Sequence, residues 1–362
     1  MKNTIFDKLK NHLNNGKVTL LYGINANERF CKLFNSFIDY LLENEVNDQI
    51  LSFDSGDFLE LESIEDDGQS KIIILWNCKW DFFLEETIGM FFDETNISII
   101  AVSNRCDFEF IKDNTSIRGR YNPVFFPSLL YEDYYKISKD NDFNSFFERP
   151  SYSINKMLTN ISENKKHIYH SLFVYLMKNS GRFCSLNKWQ KDFGKCSYDS
   201  FVLYYKHLLY NCLIYSLDVI NVRNFQKLSE LKSFYPTDIC SFNSKEMGFI
   251  DNLYDIKSHS AIVSKLRFDE FEVSRAILNR QMSDGKRVNI DYGLLAIKDR
   301  HHYLIYFGDE TEEMIDNLKF LSEKIDQIYI VSFSLKGKFY DSNRVIFCGL
   351  ETLLLEGIKY GV

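Results

Sequence analysis

Proline is scarce, with 4 in 362 residues, so the chain has no proline-rich linkers and its domain boundaries have to be found from pattern. No apolar run approaches the ~20 residues of a membrane-spanning helix. The N-terminal MKNTIFDKLKNHL lacks the apolar block of a secretory signal. Eight cysteines are present, but none falls in a C-x-x-C pair. They stand mostly in apolar segments and read as reduced core thiols of a soluble cytoplasmic protein, not as zinc ligands or disulfides. Also missing are G-x-S-x-G, H-E-x-x-H and a Cys/His nucleophile pair. His301-His302, after Asp299-Arg300, reads as a hairpin turn and not as a metal site.

Apolar material is abundant. The hydrophobic fraction is 45%, with 32 Phe and 22 Tyr, which is ample for buried cores and argues against disorder. The length predicts two or three domains. Net charge is −8, yet Asn164–Cys212 gathers eight Lys or Arg against Asp192 and Asp199. This basic window is the part of an acidic chain whose charge suits a polyanion.

The patterning is organised around Lys17–Phe30. An apolar run, Val18–Leu21, leads through Gly23 into a periodic helix whose apolar face carries Phe30, Leu33, Phe34, Phe37, Ile38, Leu41 and Leu42. A strand, glycine turn and helix can aim helical N–H groups at a phosphate. Against G-x-x-x-x-G-K-[ST], Gly23 fits the first position, but Glu28, Arg29 and Phe30 replace the second Gly, the Lys and the hydroxyl residue. Further strands are expected at Gln49–Phe53, Lys71–Trp76, Ser98–Val102 and Val124–Pro127. Helices are expected at Leu84–Phe92 and Tyr131–Ile137. All-apolar strands alternating with amphipathic helices predict a covered parallel sheet.

A polar stretch with Pro150 follows. Helices are then expected over Ile168–Met177, Ser185–Phe193 (capped by Ser185 and ended by Gly194) and Ser197–Leu209, with a strand over Leu213–Val219. That order fits a winged helix-turn-helix. Ile262–Arg280 reads as one long helix. Short strands follow at Val288–Ile297, Tyr303–Phe307, Ile328–Phe333 and Arg344–Phe347, and helices at Glu312–Ile325 and Leu350–Ile358.

This order resembles a prokaryotic family of AAA-like ATP-binding proteins that join a P-loop core, a winged helix and a C-terminal restriction-endonuclease-like domain. The matching residues are Gly119-Arg120-Tyr121, Phe126-Pro127-Ser128-Leu129-Leu130-Tyr131-Glu132-Asp133-Tyr134, Val102-Ser103-Asn104 and Asn289-Ile290-Asp291-Tyr292. The resemblance implies an α/β fold with a P-loop NTPase-like parallel sheet core at 1–145. It further implies a helical linker and winged helix at 146–240 and a small endonuclease-like α/β domain at 241–362. It marks Gly23, Asn25, Arg29, Ser103 and Arg120 as nucleotide-binding candidates, and Glu270 and Asp291 as a nuclease remnant.

The catalytic residues do not carry over. Ile72-Ile73-Ile74-Leu75 is followed by Trp76-Asn77 where the family has Asp-Glu, so neither Mg²⁺ contact survives and no base remains. Ile305 and Phe307 stand where a nuclease needs an acid and a Lys. The expectation is a pseudo-enzyme with no catalytic residue, no metal and no required cofactor. Any ATP it binds would depend little on Mg²⁺. Lys188, Lys191, Lys195, Tyr198 and Lys206 are the candidates for contacting double-stranded DNA. A protein partner, on a scaffold, and an ATPase working through substituted residues are the alternatives.

Overall fold

The computed structural model describes residues 4–13, 18–46, 48–54, 64, 67–79, 96–105, 121–128, 130–138, 142–149, 163–248, 250–281, 287–308, 321, 323–332, 338–340 and 344–358. The expected helix Leu84–Phe92, most of Glu312–Ile325, and Arg120 lie outside these residues. The chain divides into two compact units, Met1–Ser128 with Leu209–Cys212, and Leu129–Leu208 with Leu213–Val362.

The first unit holds α1 (Thr4–Leu13), β1 (Val18–Tyr22), α2 (Ala26–Glu43), β2 (Gln49–Asp54), β3 (Lys71–Trp76), β4 (Ile97–Ser103) and β5 (Tyr121–Phe125). The strands form one parallel sheet in the order β2-β3-β4-β1-β5. Burial follows position in the sheet. The inner strands β1 and β3 are buried almost throughout, while β2 at the edge alternates between half-buried and exposed. Pro123 sits on the other edge strand, where its missing N–H breaks no ladder. Phe30, Phe37 and Leu41 of α2 pack fully buried, as their spacing suggests, but Leu42, read onto the same face, is 57% exposed.

The second unit carries α3 (Tyr131–Ile137), α4 (Phe143–Glu148), α5 (Glu163–Lys178), β6 (Phe183–Ser185), α6 (Leu186–Phe193), α7 (Tyr198–Tyr210) up to Leu208, β7 (Ile214–Asn221) and β8 (Gln226–Pro236). It continues through α8 (Leu253–Phe268), β9 (Glu272–Gln281), β10 (Arg287–Lys298), β11 (His301–Phe307), β12 (Gln327–Ser332), β13 (Lys338–Tyr340), β14 (Val345–Gly349) and α9 (Leu350–Glu356). Its strands form one mixed sheet, β13-β14-β12-β11-β10-β9-β7-β8-β6. The join is the parallel pairing of β7 with β9, Val219 opposite Arg275 through Asn221 opposite Ile277. The sheet therefore runs without a break across position 240.

One expected element is corrected. Ile262–Arg280 is not a single helix: α8 ends at Phe268, Glu270 takes φ 68°, and β9 follows. Residues 273–278 are buried on both sides of the strand, so tertiary burial overrides their fair helix propensity. Strands β6 and β8 were also not expected. Among the described residues no helix is long and apolar enough to cross a membrane.

Candidate nucleotide and nucleic-acid sites

The order of the parallel sheet fixes where a ligand could sit. From β1 the chain moves past β4 and β3 to β2, and then steps back through β3 and β4 to β5. The connections that leave the adjacent strands β1 and β4 therefore run in opposite directions, and such a switch point opens a crevice beyond their carboxyl ends. Gly23, Asn25, Arg29 and Ser103 all lie at that end, beside β1 and β4. The structure thus gathers the described candidates, and it also shows what each is bonded to.

Gly23 donates its N–H to the Ser103 carbonyl at 3.2 Å. A Cβ there would stand 2.2 Å from the Phe126 carbonyl oxygen, so the glycine admits the neighbouring strand end. Asn25 caps α2 in the left-handed region, φ 50°, and makes no side-chain cap. The first helical amides have acceptors from the chain itself. Ala26 N–H donates to the Gly23 carbonyl at 3.2 Å, and Asn27 N–H to Asn104 Oδ1 at 3.0 Å. The Ser103 hydroxyl donates to the Cys78 carbonyl at 2.6 Å and accepts from Arg105 N–H at 3.1 Å.

Arg29, the residue in the Lys position, turns back into the chain. Its guanidinium donates to the carbonyls of Phe126 (3.1 Å), Ile24 (3.4 Å) and Pro127, and stacks over the Phe126 ring at 4.0 Å. Three of its hydrogen bonds thus go to neutral oxygens of the chain. Beside it, Phe30 and Trp76 occupy the two positions where the resemblance calls for metal contacts. Their ring centroids lie 5.6 Å apart, and Phe34 meets the same indole at 5.6 Å. An aromatic cluster stands where a hydrated ion would need oxygen ligands.

The sequence reading missed a polar chain that closes the strand ends. Asn77, in the left-handed region at φ 55°, donates its N–H to Asn27 Oδ1 at 2.7 Å and its side-chain amide to Asp54 Oδ2 at 2.7 Å. With the Asn27–Asn104 bond this links β2, β3, α2 and the end of β4. The signal was the Asn at 77 and the Asn at 104, each directly after an apolar strand.

In the second unit, α6 and α7 follow one another across a short turn. Ser185 Oγ accepts from Lys188 N–H at 3.2 Å, and Gly194 closes α6 at φ 68°, as the sequence suggested. Trp189, Phe193 and Phe201 are buried beneath the pair. Lys188, Lys191, Lys195, Tyr198 and Lys206 are all exposed. Lys188 shares Asp192 with Arg182, at 2.9 Å and 2.6 Å, and the hydrogen bonds from Lys188 and then Arg182 hold that carboxyl below the usual range. Ser200 is half-buried and its hydroxyl pairs with that of Ser197 at 3.0 Å, while Asp199 and Leu203 face outward.

Glu270 and Asp291 are not brought together. Asp291 lies opposite Ile277 in the β9–β10 register, whereas Glu270 precedes Glu272 at the other end of β9. Five residues of strand alone are ~17 Å. Asp291 is instead paired with Arg275 of β9, whose guanidinium also donates to Tyr235 at 2.7 Å. The second Asp291 oxygen accepts from Gly293 N–H at 2.9 Å. Both carboxylate oxygens are engaged, and a divalent ion within ~4 Å of the guanidinium would meet roughly 8 kcal/mol of repulsion at an effective dielectric of ~20. These residues do not fit a metal. On β11 the Ile305 side chain is buried, and the Phe307 ring meets His259 at 3.7 Å. Burial and then the Arg275 charge push the His259 pKa down to about 3.

No protein-family profile and no curated protein matches this chain. Among solved structures it has a likeness to a chain of Drosophila ORC bound to AT-rich DNA and Cdc6, with 13% identity over 66% of this chain and 88% of that one, at a TM-score of 0.26. Saccharomyces cerevisiae RIF2 shows 15% identity over 45% of this chain and 70% of that one, at 0.28. Protein VC1899 from Vibrio cholerae shows 9% over 94% and 97%, at 0.23. TM-scores this low carry no argument about fold or function.

Proposed function

We propose that this chain is a non-hydrolysing relative of the AAA-like ATP-binding proteins it resembles, a binding or regulatory protein that contacts duplex DNA through α6 and α7. The observation that carries the first half is Arg29, whose guanidinium is spent on three carbonyls of its own chain. With the Phe30–Trp76 cluster beside it, the described residues at the Lys and metal-contact positions offer no group to neutralise a developing phosphate charge or to take a proton from water. ATP, if it binds, does so without strong dependence on Mg²⁺.

The DNA half rests on topology and charge. The stretch from α5 to β8 has the order helix, strand, helix, helix, two strands, with β6 pairing to β8, and this order supports reading it as a winged helix-turn-helix. Lys191, Lys195 and Lys206 are exposed around the second helix and have no carboxylate partner among the described residues. The layer after it reads as endonuclease-like in order but not in chemistry, because Arg275 holds Asp291.

Purified protein is expected to hydrolyse ATP no faster than a blank and to leave DNA uncut with Mg²⁺ or Mn²⁺. Duplex DNA is titrated at two salt concentrations with wild type and a Lys191→Glu, Lys195→Glu, Lys206→Glu variant. The expected result is binding that weakens with salt, by about 0.9 in log–log slope for each phosphate neutralised, and a shallower slope in the variant. No binding at low salt would remove DNA and leave the protein-scaffold reading.

A further inference from the structure

The outward face of α7 says which bases such a contact would favour, and this rests on the DNA reading above. Phe201, Tyr205 and Leu208 turn inward and are buried. Asp199, Leu203 and Lys206, at i, i+4 and i+7, form the opposite, exposed line. Leu203 is 60% exposed, the most exposed large apolar side chain among the described residues.

A leucine neither donates nor accepts a hydrogen bond. In the major groove the base-edge group that gains from it is the thymine 5-methyl. The line carries no Arg, Asn or Gln, the residues that pair with purine edges, and Asp199 is an acceptor suited to the cytosine amino group. Lys191 and Lys195, on the preceding helix and turn, are placed to hold the backbone. We propose that Leu203 is a specificity residue that reads thymine methyl groups, so that the protein prefers thymine-containing duplexes over the same duplexes with uracil.

The test uses the full chain at low salt with two labelled probes, an alternating d(A-T) duplex and the same duplex with uracil for every thymine. Wild type should bind the thymine duplex about fourfold more tightly for each methyl that Leu203 covers. Leu203→Ala should keep its circular dichroism spectrum and lose the preference. A Lys191→Glu, Lys195→Glu variant should weaken both duplexes alike and keep the ratio. Equal wild-type affinity for the two probes, or a preference that survives Leu203→Ala, overturns the assignment and leaves DNA binding standing. Failure of wild type to bind either probe overturns the DNA reading and this inference with it.

Discussion

Arg29 and Arg275 stand where the resemblance would put a phosphate in one unit and a metal in the other. They are held differently. Arg29 is half-buried and bonded to backbone carbonyls, which are neutral and fixed in number by the fold. The Arg275 side chain is 6% exposed and leans on Asp291, whose own side chain is 43% exposed. The first arrangement is a guanidinium hydrogen-bonded to backbone carbonyls. The second is an ion pair in which the buried member is the cation. Which partner is removed therefore matters in the second unit.

The largest expected effect follows from that asymmetry. Asp291→Ala strands a buried guanidinium and should destabilise by about 3–5 kcal/mol in urea unfolding. Arg275→Met leaves a carboxylate that water can reach, and should cost clearly less. Equal losses in the two variants would mean that Arg275 is not the dependent, buried member of the pair. Arg29→Ala should cost about 2–3 kcal/mol through lost charge-assisted bonds. Arg29→Lys should not restore it fully, because a lysine cannot span the carbonyls as a planar fork does.

His259 sharpens the comparison through pH. Its pKa is about 3 in the fold against an ordinary 6.5. The unfolded chain therefore binds the extra proton in between, and stability falls as pH drops from about 6.5 toward 3. The slope is at most about 1.4 kcal/mol per pH unit. Comparing unfolding midpoints of wild type and His259→Phe at pH 7 and pH 4.5 isolates this share. The smallest expected effect on stability is that of Lys191→Glu, Lys195→Glu, Lys206→Glu. These side chains are exposed, so thermal stability should move by no more than about 0.5 kcal/mol while any DNA affinity falls.

Local chemistry was legible in the sequence. Ser185 and Gly194 bracket α6 as a cap and a left-handed stop, and the apolar runs at β1, β3 and β4 became the buried strands of a parallel sheet. Non-local pairing was not legible. Phe271–Leu278 has the composition of a helix, and only burial between β7 and β10 makes it a strand. The cation at Arg29 was visible, but its direction depends on where the end of β5 passes, almost a hundred residues later. Arg275 meets Asp291 through strand register, which no spacing in the sequence encodes.

The β7–β9 pairing has a practical consequence for dissecting the chain. A cut at 240, where the sequence invites one, would separate strands hydrogen-bonded in one sheet and bare an unpaired edge on each fragment. Such edges recruit other strands, so each half expressed alone should aggregate or self-pair. Helix α7 and the layer containing Arg275 must therefore be inherited, expressed and purified together.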